Sequence, residues 1–268
     1  MDEHTSHLKL VGSPWSLMGL LVGSLCLAFA PAICAQSSSS DDWRLCEGAD
    51  PRPAVAACSR LLAASSSEGR ARAYLNRANA FDDLGQPDRA LADYDSSLSL
   101  SRDEYVFRNK GVTLYRLRRF NEAIAVIDSA LAINPRYAMA WIARADVFFK
   151  MAPSASDSLA LYRHAIANYD TAFAIGGLPA RVELTAYVFR STCHRSLQDF
   201  PAAIGDLTSA LRFHPDINLY LVRARTYADN GDAGPAQADV DTASALTRTP
   251  TDSTLVRETR EYVTRPKK

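Results

Sequence analysis

The sequence predicts an all-α solenoid of antiparallel helix pairs, and three observations carry that expectation. The first is a register of alanines. Ala90, Ala123, Ala165, Ala203 and Ala236 each sit in the same kind of segment: RALADYDSSLSL, EAIAVIDSALAINP, HAIANYDTAFAI, AAIGDLTSALRFHP and PAQADVDTASAL. The steps between them are 33, 42, 38 and 33 residues. A period near 34 is that of stacked helical units rather than of one closed domain. The second is a small residue twelve positions before four of these alanines, at Ala78, Gly111, Ser191 and Ala224, with Ala145 twenty before the remaining one. An aromatic precedes each by four: Tyr74, Phe107, Trp141, Tyr187 and Tyr220. Small residues at matched places let two helices approach closely, and the aromatic fills the wedge beside them. The third is a set of short breaks between the two patterns, at 84–88, 117–121, 197–201 and 230–234.

Taken along the chain, residues 1–35 read as a secretory signal peptide. Leu17 to Ala30 is apolar or small and uncharged, about the length of a signal's apolar stretch, and Pro31 ends it. An uncut amino-terminal anchor is the alternative, since no charge falls between Lys9 and Asp41. Ser37 to Ser40 read as a flexible mature end. Residues 36–70 form an amino-terminal half-repeat cap, because AVAACSRLL has the stripe of a second helix with no full first helix before it. Cys46 and Cys58 stand twelve apart there. In an oxidising compartment they form a disulfide; two free buried thiols are the alternative. The expected repeats are 71–103, 104–137, 138–179, 180–216 and 217–250. About eight extra residues near 151–158 separate the helices of the third. Gly85, Gly231 and Gly234 suit helix ends, and Pro135 and Pro215 close second helices. Residues 251–268 supply a capping helix, with Leu255, Val256 and Val263 on its docking face, and a tail.

With its small, small, aromatic and terminal-proline register, the chain resembles the tetratricopeptide repeat family. The resemblance is strongest in YLNRANAFDDLGQPDRALADYDSSLSL, FRNKGVTLYRLRRFNEAIAVIDSALAINP and YLVRARTYADNGDAGPAQADVDTASAL, and it covers about 71–250. It implies a right-handed superhelix whose first helices line a concave face. The candidate partner-binding residues beside the buried stripe are then Asn76, Asn79, Arg108, Asn109, Val112, Arg116, Ile142, Asp146, Phe149, Arg195 and Arg225. Some family members clamp a chaperone's terminal carboxylate with Lys, Asn and Arg from three successive repeats. Asn79 and Asn109 match two such places, but Leu75, Met139 and Ala143 stand where the basic or polar side chains belong, so that clamp is not expected.

Charge and composition narrow the function. The 30 basic and 30 acidic residues cancel, which argues against a nucleic-acid binder. Beyond residue 35 only His164, His194 and His214 remain, in different repeats and without metal-ligand spacing. Cys193 and His194 are adjacent, but neighbours on a helix point about 100° apart and cannot readily hydrogen-bond. No enzyme activity, metal or cofactor is expected. Each repeat also carries a basic residue just before its small one: Arg77, Lys110, Arg144, Arg190 and Arg223. Acids recur in the second helices at Asp93, Asp95, Asp128, Asp170, Asp206, Asp239 and Asp241. An internal ion-pair ladder explains both signs in one register; a basic stripe for an acidic partner is the alternative. The expected function is a non-enzymatic scaffold or adaptor in the cell envelope, periplasmic or secreted. It binds a protein or peptide, and meets the membrane only if the amino-terminal segment stays uncut. A regulatory subunit of an envelope enzyme is the rival.

Overall fold

The computed structural model describes residues 39–265, so the expected signal segment lies outside the described residues. Thirteen α-helices and no strand occur among them. The chain opens with α1 (Ser39–Cys46) and α2 (Pro51–Ala64). Five pairs follow: α3 (Ser67–Asp83) with α4 (Pro87–Leu100), α5 (Glu104–Arg116) with α6 (Phe120–Ile133), α7 (Ala138–Met151) with α8 (Ser158–Ile175), α9 (Ala180–Ser196) with α10 (Phe200–Phe213), and α11 (Ile217–Asn230) with α12 (Ala233–Leu246). The last helix is α13 (Pro250–Thr264).

Several helices begin where the chain supplies a side-chain acceptor for their free N–H groups. Ser66, Asp103, Asp157, Asp199 and Asp216 cap α3, α5, α8, α10 and α11 through their side chains. Thr249 and Asp252 form a reciprocal capping box on α13. The turn inside four of the five pairs needs one left-handed residue. Gly85 and Gly231 meet it with φ of 69° and 92°, but Arg118 and Gln198 occupy the same place at φ 60°. Gly234 does not end a helix; it lies in the first turn of α12.

The register alanines are fully buried, as are Ala78, Ala145 and Ala224 opposite them. Gly111 is required rather than merely small. A Cβ there would overlap Ile127 Cγ1 and lie 3.1 Å from its Cδ1. Four residues beyond each alanine, Tyr94, Ile127, Tyr169, Leu207 and Val240 fill the core of their pair. The chain is therefore an all-α helical solenoid, with its core repeated along the axis instead of gathered at one centre.

Three expectations at the margins change. The amino-terminal unit has a first helix after all: α1, eight residues long, packs on α2 and touches α3. Ser39 and Ser40 belong to it rather than to a free end. Cys46, at its last residue, is bonded to Cys58 in α2, and Asp42 is held by Arg60. The extra residues of the third repeat form a 3-10 turn at Ala152–Ser154, with Ala152 buried, and add a turn to α8, which reaches 18 residues.

The charged register forms a ladder built on one rule. Each first-helix arginine of the register reaches two second helices: that of its own pair, three residues past the alanine, and that of the preceding pair, five past it. Arg77 binds Asp93 and Ser59. Arg190 binds Asp206 and Asp170. Arg223 binds Asp239 and Thr208. Arg144 donates to Asn168, and its Nε lies 2.8 Å from Asp128 Oδ1, an ion contact outside hydrogen-bond alignment. In the second pair the nearer place is Val126, and there the cation is a lysine: Lys110 reaches only Asp95. A forked guanidinium serves two acceptors, whereas an ammonium suffices for one. The arginines also lie between aromatic rings, Arg190 over Phe173 at 4.5 Å and Tyr187 at 5.7 Å. The ladder ties adjacent repeats together, so these cations are not an open basic stripe.

Candidate functional site

The direction of curvature decides which face is inner. First helices of neighbouring units touch one another, α1 with α3, α3 with α5, α5 with α7 and α7 with α9, and α11 touches α13. Successive second helices make no comparable contact. The stack therefore closes on its first-helix side. The pair α9 and α11 lacks such packing; Arg195 and Asp229, 4.0 Å apart, face each other across it.

Ten of the eleven candidate residues lie part-exposed or exposed on the first helices. Ile142 is the exception. It is 6% exposed and packs against Ala145, Ala165 and Tyr169, so it belongs to the core. Its apolar side chain points to α8, where the register equivalent Arg108 does not. Asn79, Arg108, Asn109, Val112 and Arg116 come together. With Asp82, Asp83 and Tyr94 they line a recess of about 310 Å³ between the first two repeats. Asn79 Oδ1 accepts from Tyr94 Oη at 2.8 Å and from Asn109 Nδ2 at 3.0 Å. Asn109 Oδ1 in turn accepts from Arg108 Nη1 at 2.9 Å. Arg116 pairs with Asp82 at 2.5 Å. Asn76 stands apart, in a smaller recess against the first pair with Cys46, Glu47 and Gly48. The buried Nδ2 of Asn76, Nε of Arg108 and Nε of Arg195 have no hydrogen-bond partner.

Further along the same face Asp146 accepts from Tyr169 Oη at 2.6 Å. Burial pushes its carboxyl up to about 6, against the opposing pull of that hydrogen bond and of the Arg108 charge. Phe149 stacks on Phe189 with ring centres 4.8 Å apart. Arg225 donates to Thr259 of α13 at 3.1 Å.

Tyr94 and Tyr169 were not among the candidate site residues read from sequence, because both belong to second helices. Their phenols cross the pair to the inner face. The available signal was a tyrosine four past the alanine wherever Asn79 or Asp146 stands one residue after the small first-helix position. Elsewhere, Cys193 is fully buried and burial pushes its thiol up to about 12, which keeps it protonated and unreactive at neutral pH. Among the described residues no cluster of three His, Cys, Asp or Glu side chains fits a metal ion. No described helix is long and apolar enough to cross a membrane.

The stacked pairs, the shared register and the first-helix inner face define a helical-repeat scaffold. Profiles of the tetratricopeptide repeat match residues 71–104 and 108–173. Over those residues the chain is built of tetratricopeptide repeats. No curated protein matches the sequence. Several solved structures share the fold. PilW, described as a widely conserved type IV pilus biogenesis factor, is 20% identical with a TM-score of 0.63, over 83% of this chain and 100% of its own. YrrB, described as a TPR protein with an unusual peptide-binding site, is 17% identical with a TM-score of 0.60, over 77% and 99%. A chain of the APC/C hetero-tetramer Cut9–Hcn1 is 17% identical with a TM-score of 0.59 over 78% of this chain; the match spans 39% of that longer partner. Solenoids of this class present an extended concave surface on which other proteins are held.

Proposed function

We propose that the protein is an exported, non-enzymatic adaptor of the cell envelope that holds an extended peptide or a partner helix against its first-helix face. The observation that carries this reading is the recess between the first two repeats. There, donors and acceptors from two repeats converge beside an arginine that has no ion-pair partner within 4 Å among the described residues. A part-buried polar surface of this kind suits a ligand that brings its own amide and carboxyl groups, because each unmet donor is costly to leave buried. The disulfide between Cys46 and Cys58 agrees with an oxidising compartment. Two of the proteins that share the fold are described by a peptide-binding site and by a role in pilus biogenesis, which is consistent with both halves of the proposal.

The test is in-cell crosslinking of the tagged full chain, with mass spectrometry of the captured partners and of its own amino terminus. A specific envelope partner that disappears when Asn109, Arg116 and Phe149 are together replaced by alanine, without loss of helicity, is the expected result. A partner retained by that variant, or none captured from cells holding folded protein, would overturn the inner-face reading.

A further inference from the structure

The first and third repeats share a device whose chemistry differs in one atom. In the first, Tyr94 Oη donates to the amide oxygen of Asn79. In the third, Tyr169 Oη donates to the carboxylate of Asp146, at the same register. Packing and hydrogen bonding are served by the amide, as the first repeat shows within this molecule. A carboxylate in that place adds only a charge, and a part-buried charge is costly unless it is paired.

Asp146 has no cation within 4 Å among the described residues, although the face around it is rich in ion pairs. Arg116 is taken by Asp82, and Arg195 faces Asp229. Several groups face Asp146. Tyr169 comes from α8, and Arg108 and Tyr115 come from α5. Cys193 of α9 is neutral. Arg108 is the one cation in reach of its field, and its Nη1 is committed to Asn109. The surroundings are otherwise aromatic. The Asp146 charge is felt by the Tyr115 hydroxyl, and Phe149 lies one turn along the same helix, stacked on Phe189.

We propose that Asp146 is a specificity residue of the inner face, the acceptor for a lysine or arginine side chain of the bound peptide, whose aliphatic stem lies along Tyr115 and Phe149. A long basic side chain matches both parts of this surface, since its stem is apolar and only its tip is charged. Seated there, it gives the carboxylate the partner that the chain itself withholds. This inference rests on the inner-face reading above and adds to it the chemistry of one ligand position.

The experiment is affinity selection of a displayed library of random nonapeptides on the immobilised full chain, followed by titration of the selected peptides. The expected consensus holds Lys or Arg at one fixed position. Replacing that residue by alanine, or Asp146 by asparagine, weakens binding at least tenfold. Asp146→Asn keeps the Tyr169 hydrogen bond, as Asn79 does for Tyr94, so a melting temperature that does not fall separates lost binding from lost fold. Peptides that need Asn109 and Arg116 but show no basic position, or that bind Asp146→Asn equally well, overturn this inference and leave the inner-face reading standing. No selected peptide, or selected peptides indifferent to Asn109→Ala with Arg116→Ala, overturns both.

Discussion

The two-partner ladder makes a prediction that separates repeats by burial of the acid rather than by the identity of the cation. Arg190 and Lys110 are equally enclosed, their side chains 18% and 19% exposed. Their partners are not. Arg190 neutralises Asp206, whose side chain is 5% exposed, together with the solvated Asp170; Lys110 neutralises only Asp95, at 62%. Replacing Arg190 by methionine leaves a buried carboxylate with no counter-charge, which costs about 3 kcal/mol. It also removes a cation from the rings of Phe173 and Tyr187, worth about 0.5–1 kcal/mol more. Replacing Lys110 by methionine strands an acid that water already solvates, and costs no more than about 1 kcal/mol. Changing Asp206 to leucine in the Arg190→Met background removes the stranded charge and restores most of the loss. Denaturant unfolding of the four proteins, followed by circular dichroism, reads these differences directly. Equal losses for the two single variants, or a double variant no more stable than Arg190→Met, would refute burial of the acid as what sets the cost of breaking each ion pair.

Other perturbations follow from the same packing. Gly111→Ala drives a methyl into Ile127 and should destabilise by about 1–3 kcal/mol. Pairing it with Ile127→Ala, which removes the clashing Cγ1, should cost less than the sum of the two single losses, and strict additivity would place the clash elsewhere. Arg118→Gly and Gln198→Gly relieve left-handed backbones that Gly85 and Gly231 adopt freely. Each should raise the unfolding free energy by up to about 1 kcal/mol, and a lowered value in both would contradict the turn assignment. Asp146 has a folded pKa of about 6, raised from 3.8. The native state therefore binds more protons than the unfolded state between those values, and stability falls as pH rises from about 4 to about 6. Asp146→Asn should remove that slope and stabilise the protein at pH 7–8 by at most about 3 kcal/mol, less to the extent that water reaches the group. Identical pH profiles for the two proteins would show that the carboxylate titrates normally. Reduction of Cys46–Cys58 frees a loop closed over twelve residues. It should lower stability by up to about 3 kcal/mol, seen as a shifted melt on adding reductant; no shift would mean that α1 contributes nothing to the stack.

Helix positions were legible because period and punctuation are local. Pro135 and Pro215 stand just past the ends of α6 and α10, and Gly85 and Gly231 sit in the turns, as read. The alanine register named the buried stripe, and both signs of the ladder stood in it. Ile142 was misplaced because it stands beside the buried stripe rather than within it. Whether a residue beside the stripe meets water depends on the neighbouring helix, and Ala165 and Tyr169 of α8 close over it. The short α1 was missed because eight residues with two acids carry too little periodicity to register as a helix. The disulfide, the Asp42–Arg60 pair and the packing on α2 and α3 hold them in place.

By itself the sequence determined the all-α class, the repeat and the pairing of charges, since each is set by spacing along one chain. Only the tertiary structure decided which acid each arginine reaches, and that Tyr94 and Tyr169 cross to the inner face. It alone showed that Asp146 is left without a cation. Those are relations between residues 15 to 23 positions apart, and their geometry exists only once neighbouring helices have packed.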